Sequence, residues 1–131
     1  MKTAINFKRY IKNDPSQIRE IGFYVNGTKY WFLNGEYHRE GGPAVEYSDG
    51  EKFWLLNGYA HREDGPACEY SDGTKHWYLN GKFHREDGPA LTCSNGYKEW
   101  YLNGHLHRED GPAVEWNDGT KEWWLNGRRI K

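Results

Sequence analysis

The side chains with acid–base potential come in one block. His61-Arg62-Glu63-Asp64 recurs from His84 and from His107, and a truncated form stands at His38-Arg39-Glu40-Gly41. An imidazole beside carboxylates is the equipment of general acid–base catalysis. A catalytic group is needed once, however. A block that returns at fixed spacing reads instead as a ladder of ion pairs and hydrogen bonds between stacked units, and Asx-type turn bonding accounts for Asp64-Gly65-Pro66 without a substrate. No polar triad stands out as occurring once only, so no catalytic residue is assigned. Zinc is raised by six histidines, yet in stacked hairpins the ladder residues His38, His61, His84 and His107 fall ~10 Å apart, whereas ligand bonds are near 2 Å. His105 and His107 share a strand face without a third ligand beside them. No metal and no cofactor is expected. Cys68 and Cys93 each replace an apolar repeat residue and read as buried, inert thiols in non-equivalent slots, too far apart for a disulfide. That usage points to a reducing, intracellular setting. The glycines are spaced as turns, with no strand-to-helix phosphate loop. Asn26-Gly27-Thr28 is more simply a hairpin turn than a glycosylation site.

The elements that position these residues follow from the spacing. Leu-Asn-Gly recurs at Leu33, Leu56, Leu79, Leu102 and Leu125, a step of 23 residues, and self-similarity at such a period marks a repeat architecture. Trp31, Trp54, Trp77, Trp100 and Trp123 keep the step, as do the turn glycines Gly27, Gly50, Gly73, Gly96 and Gly119. Cut at Ile21, Ala44, Ala67, Ala90 and Ala113, the array comprises residues 21–43, 44–66, 67–89, 90–112 and a shortened 113–131; residues 1–20 stand outside it as an N-terminal cap. Within one unit, Ala44-Val45-Glu46-Tyr47 alternates, Ser48-Asp49-Gly50-Glu51 is turn chemistry, and Lys52-Phe53-Trp54-Leu55-Leu56 is a second strand. Asn57-Gly58 makes a further turn, and Pro66 bars a ladder bond on the way to the next unit. A lone hairpin is marginal in water, so units must stack. The expected fold is all-β: a single-sheet solenoid of stacked antiparallel hairpins. Asn13-Asp14-Pro15-Ser16 should break the cap into a short strand or helix and a turn.

The Trp54-Leu55-Leu56-Asn57-Gly58 segment and the Asp49-Gly50 turn, repeated through 21–131, resemble the MORN repeats, especially their variant form with a Trp/Tyr-x-x-Asn-Gly signature. The His-Arg-Glu-Asp-Gly-Pro-Ala block departs from the usual pattern and is similar to His-Arg-x-Asp-Gly-Pro repeats of small phage and viral proteins. What the resemblance implies is a non-enzymatic array concerned with protein binding, scaffolding, oligomerisation or lipid contact.

Strand alternation then separates two faces. Trp54 and Leu56 share one, expected to be the core. Phe53 and Leu55 share the other, where the slots hold Phe32, Leu55, Tyr78, Tyr101 and Trp124 in one row and Tyr30, Phe53, His76, Glu99 and Glu122 in the next, apolar at the N-terminal end and acidic at the C-terminal end. Aromatic residues anchor protein interfaces, so Phe32, Leu55, Tyr78, Tyr101, Trp124, Tyr30, Phe53, His76 and Glu99 form the candidate partner-binding site, unless curvature, residues 1–20 or a second copy covers it. The residues after each Asn-Gly turn, such as Glu36, Tyr59, Lys82, His105 and Arg128, also vary, as exposed loops do.

Composition narrows the function classes. At 131 residues the chain holds no multidomain enzyme. Aliphatic residues are few, but Trp 7, Tyr 10 and Phe 5 supply an aromatic core in their place. The net charge of −1 lacks the footprint of a nucleic-acid or membrane binder. No apolar run reaches a membrane span and no signal-peptide core is present, a cytoplasmic pattern. Charge is uneven: Lys2, Lys8, Arg9, Lys12 and Arg19 oppose Asp14 and Glu20 at one end, Arg128, Arg129 and Lys131 close the other, and acids are in excess between. The expected function is a non-enzymatic protein-binding module, in its sharpest form a phage-encoded inhibitor docking on a host defence protein. The alternatives are a self-assembling scaffold through open edges, and lipid or nucleic-acid contact through the basic ends. No small-molecule substrate is expected.

Overall fold

The Asn-Gly pair after each Leu places two consecutive residues at positive φ. Asn57 has φ 50° and Gly58 φ 80°, and the same values recur at Asn34, Asn80, Asn103 and Asn126 with their glycines. Two such residues make a type I′ turn, whose twist suits a two-residue hairpin. In the Ser-Asp-Gly turns the Asp49 carboxylate accepts the Glu51 N–H at 2.9 Å while the Gly50 N–H donates to the Tyr47 carbonyl at 3.0 Å. These turns fold the chain into a meander, seen in a computed structural model that describes residues 5–11 and 19–131, with side chains from Glu20 onward. Among the described residues there are strands and turns and no helix.

The main sheet is antiparallel and twelve-stranded. Its path begins with Ile5–Ile11, Arg19–Val25 and Thr28–Leu33, then adds two short strands per unit: Val45–Glu46 and Lys52–Phe53, Cys68–Glu69 and Lys75–His76, Leu91–Thr92 and Lys98–Glu99, Val114–Glu115 and Lys121–Glu122. Residues 5–11 thus lie beside the array as its first strand, paired with 19–25; the break expected at Asn13-Asp14-Pro15-Ser16 lies outside the described residues. The run expected over Lys52–Leu56 divides at Trp54. The Trp54 N–H donates to Ala67 of the next unit at 2.7 Å, and its carbonyl accepts from His61 of its own unit at 3.0 Å. Beyond that switch, Leu55–Leu56 pairs with Tyr59–Ala60 as a separate two-stranded hairpin, repeated in the later units. Adjacent hairpins are joined by turn glycines, as where Gly81 N–H donates to the Ala60 carbonyl at 2.8 Å.

The register sorts side chains into two ladders. One runs Lys29, Glu46, Lys52, Glu69, Lys75, Thr92, Lys98, Glu115, Lys121 across successive strands, alternating in sign except at Thr92. The other runs Tyr30, Val45, Phe53, Cys68, His76, Leu91, Glu99, Val114, Glu122 through the same pairings. The Trp54 slot shares its face with the first ladder, and this corrects the expectation that the tryptophan face is the core. The lysines two residues upstream and their cross-strand glutamates keep that face in water, and Trp31, Trp54, Trp77, Trp100 and Trp123 are half-buried. The buried apolar side chains are small: Ala44, Ala67, Ala90 and Ala113 at 0 % exposure, with Val45, Cys68 and Val114 beside them. Both faces are therefore built of partly covered rings around a thin line of alanines.

The first unit deviates. Its turn is the two-residue Asn26-Gly27, so Phe23 opposes Tyr30 and Gly22 opposes Trp31, whereas in the second unit Val45 opposes Phe53. A one-residue slip exchanges faces. Phe23 consequently joins the Tyr30 side, edge-on to Phe32 at 5.8 Å, and Trp31 lies over Gly22, where a Cβ would come within 3.0 Å of the indole.

Candidate interaction face

The histidines and arginines of the recurring His-Arg-Glu-Asp block make structural contacts, between units through the imidazole and mostly within a unit through the guanidinium. Each imidazole Nδ1 accepts a turn N–H from the following unit: Asn57 to His38, Asn80 to His61, Asn103 to His84 and Asn126 to His107, all at 2.9–3.0 Å. Each guanidinium lies on the tryptophan of its own unit, with Arg62 3.9 Å from the Trp54 ring, Arg85 3.9 Å from Trp77 and Arg108 4.0 Å from Trp100. Such stacking contributes ~0.5–2 kcal/mol. The same arginines donate to Asp64, Asp87 and Asp110, and to the proline carbonyl four residues on. Open clefts of about 740, 260 and 700 Å³ lie between successive blocks. Their lining repeats from unit to unit, so none is a singular site.

Among the described residues one polar constellation does occur once, against the expectation that none would. Glu20 stands 23 residues before Pro43, in the slot that is proline in every later unit. It is 2 % exposed, accepts the Glu40 N–H at 2.8 Å, and lies 3.7 Å from His38 Nε2, which is 3.7 Å from Glu40. The three ligand atoms fall within 4.8 Å of one another. Sequence reasoning missed the group because the 23-residue step was followed for what it preserved; the signal was the acid in a proline slot. The arrangement opposes a metal nonetheless. Nδ1 of His38 accepts the Asn57 N–H, so the neutral ring carries its proton on Nε2, the atom facing both carboxylates. A metal there would require displacement of that proton to give an imidazolate. What the trio supplies is a tie within the first unit, the Glu40 N–H bound to the Glu20 carboxylate at 2.8 Å beside the His38 ring.

On the opposite face the structure brings the sequence-nominated residues together. Tyr70 meets His76 at 5.0 Å, His76 meets Phe83 at 5.2 Å, and Tyr78, Phe83 and Tyr101 form a nearly parallel stack with centroids 4.4 and 4.8 Å apart. Tyr30, Phe32 and Tyr37 stack likewise in the first unit, and Phe53 lies between Tyr47 and Tyr70. Leu55 and Trp124 continue the row at the intervening and final hairpins. All nine nominated residues are half-buried. Sequence reasoning did not nominate Tyr70, Phe83, Tyr97 or Trp116, which alternate onto the same face.

Toward the C-terminal end the chemistry changes. The Glu99 carboxylate accepts the Tyr97 hydroxyl at 2.7 Å and the Tyr101 hydroxyl at 2.5 Å. Burial first, then those bonds to Glu99, push both phenols up, so they remain donors. Glu122 accepts the Trp124 Nε1–H at 2.8 Å and faces Arg129 at 3.5 Å. Burial pushes the Tyr78 phenol up to about 12 and lowers His76, with Glu99 pulling His76 partly back. Cys68 is buried and its thiol is raised to about 11 by desolvation, an unreactive state. Cys93, expected buried, is half-buried on the Tyr97 side; both thiols are free.

Compared with known proteins, the chain matches no family model, no curated protein and no solved structure. The resemblances to MORN and phage repeats thus rest on their motif residues alone, and the class defined by the fold is an open array of β-hairpin repeats. No helix among the described residues is long and apolar enough to cross a membrane.

Proposed function

We propose that the protein is a non-enzymatic module that binds another protein through its ring-lined face. The observation that carries this reading is the continuous row Tyr70, His76, Tyr78, Phe83 and Tyr101, left half-buried although its members touch one another. Large contiguous apolar surface in water marks interaction sites, and rigid aromatics supply contact area at low entropic cost. The histidines and arginines of the acid–base block are engaged in repeated structural contacts, within and between units, which weakens the main argument for an enzyme. Within this reading the sharper form is a phage-encoded inhibitor acting on a host defence protein in the cytoplasm, supported by the resemblance of the His-Arg-Glu-Asp-Gly-Pro block. The test is affinity capture from host lysate with the wild type beside a Tyr78→Ser/Tyr101→Ser variant, both shown to be folded by circular dichroism. A host protein held only by the wild type supports the reading; a partner held equally by both removes the face from it.

A second reading is self-assembly, favoured by the strand Lys121–Glu122, which pairs with one described strand and leaves its outer edge open. Light scattering over a concentration series separates the two, since a monomer at all concentrations excludes assembly.

A further inference from the structure

We infer that the C-terminal half of the ring-lined face recognises a cationic side chain, lysine or arginine, presented by an extended polyproline-II segment of its partner. The inference deepens the protein-binding reading and rests on it.

Its centre is Glu99. The cross-strand row that holds Tyr30, Phe53 and His76 in the earlier units places a carboxylate here, among Tyr97, Tyr101 and the neighbouring stack. Two phenol hydroxyls fix that carboxylate, and it forms no ion pair with a described residue; Glu122, one unit on, is already served by Arg129. The carboxylate is thus held by hydroxyl donors and not by a cation, so a cation from outside would pair with it without displacing an existing ion pair. Ring faces beside an acid suit ammonium and guanidinium groups, which gain cation–π attraction as well as the ion pair.

The pitch selects the conformation of the ligand. Two strands per unit advance the sheet by about 9–10 Å, and polyproline II returns to the same face every three residues after about 9 Å. A segment lying along the array would set its cation on Glu99 and, three residues away, an apolar side chain on His76, Tyr78 and Phe83 of the preceding unit. Aromatic-lined grooves bind proline-rich segments because little conformational entropy remains to be lost. The body of the chain between the basic ends holds an excess of acids, which favours a basic partner over nucleic acid.

The probe is a capped peptide with arginine and leucine three residues apart in a proline background, synthesised in both chain directions. Calorimetric titration is run on the full chain, on Glu99→Gln, and on Tyr78→Ser/Tyr101→Ser. The expected result is saturable binding in one direction, weakened tenfold or more by Glu99→Gln, by arginine-to-glutamate exchange in the peptide, and by moving leucine from the third to the second position. Equal affinity of Glu99→Gln, equal affinity of the acidic peptide, or binding by no peptide overturns the inference. A peptide that depends on Tyr78 and Tyr101 but not on Glu99 overturns the cation while leaving the protein-binding face standing; capture of a host protein with no peptide bound does the same.

Discussion

The N–H of Asn57 donates to Nδ1 of His38, nineteen residues earlier, at 2.9 Å. The donor sits at the positive-φ corner of one unit's turn and the acceptor in the connecting block of the unit before, so a side chain satisfies a backbone group that the tight turn leaves unpaired. Replacing His84 with alanine leaves the exposed Asn103 N–H to water. We expect a loss of about 0.5–1.5 kcal/mol, read as a lower urea midpoint with unchanged slope.

The alanines tolerate no growth. Ala90 is 0 % exposed, its N–H donates to the Glu99 carbonyl at 2.8 Å and its carbonyl accepts from Trp77 at 2.7 Å. Ala90→Leu must displace strands fixed on both sides, costing about 1–3 kcal/mol. Thermal denaturation followed by circular dichroism measures the fall.

Thr92 is the interruption in the Lys–Glu ladder, opposite Lys75 on one side and Lys98 on the other. It is also where Arg85 lacks the carboxylate that Arg62 finds in Glu69 and Arg108 in Glu115. Thr92→Glu restores both patterns and should stabilise by about 0.2–1 kcal/mol at low salt. The gain should shrink as salt is added to urea titrations.

His76 gives the face a pH dependence. Its pKa is lowered chiefly by burial, against the pull of Glu99. The folded state therefore binds this proton less readily than the unfolded chain. The stabilisation from the neutral ring is complete above the unfolded value, near 6.5, and is lost as pH falls through the lower folded value. His76→Phe, the residue of the second unit's slot, should flatten that acid limb in urea midpoints measured from pH 7 downward.

Much of this was legible in the sequence. Asn-Gly and Asp-Gly pairs at a constant step dictate turns, and alternation between them assigns the rows that the pairing of Phe53 with Val45 and Cys68 realises. Two things escaped for one reason. A fixed step carries Gly27 onto Gly50 although their loops differ by a residue, hiding the slip that brings Phe23 to the Tyr30 side. It also carries Glu20 onto Pro43, where identity, not spacing, held the information. The mistaken core followed from weighing tryptophan by size while overlooking Lys52 two residues upstream on the same face; the arginine cover over Trp54 depends on a connecting segment with no periodic pattern of its own.

The histidine contacts also give the array a direction under load. The turns at Asn57, Asn80, Asn103 and Asn126 are each held by the unit before, and side-chain ties of this kind reach only to the adjacent unit. Force drawn along the axis would meet a row of near-equal fasteners in series rather than one clamp. Extension should proceed in steps of one unit, each releasing 23 residues, or roughly 80 Å of slack chain at the extended reach of a polypeptide. Such a molecule would lengthen under tension by instalments, keeping most of its binding face assembled while it yields.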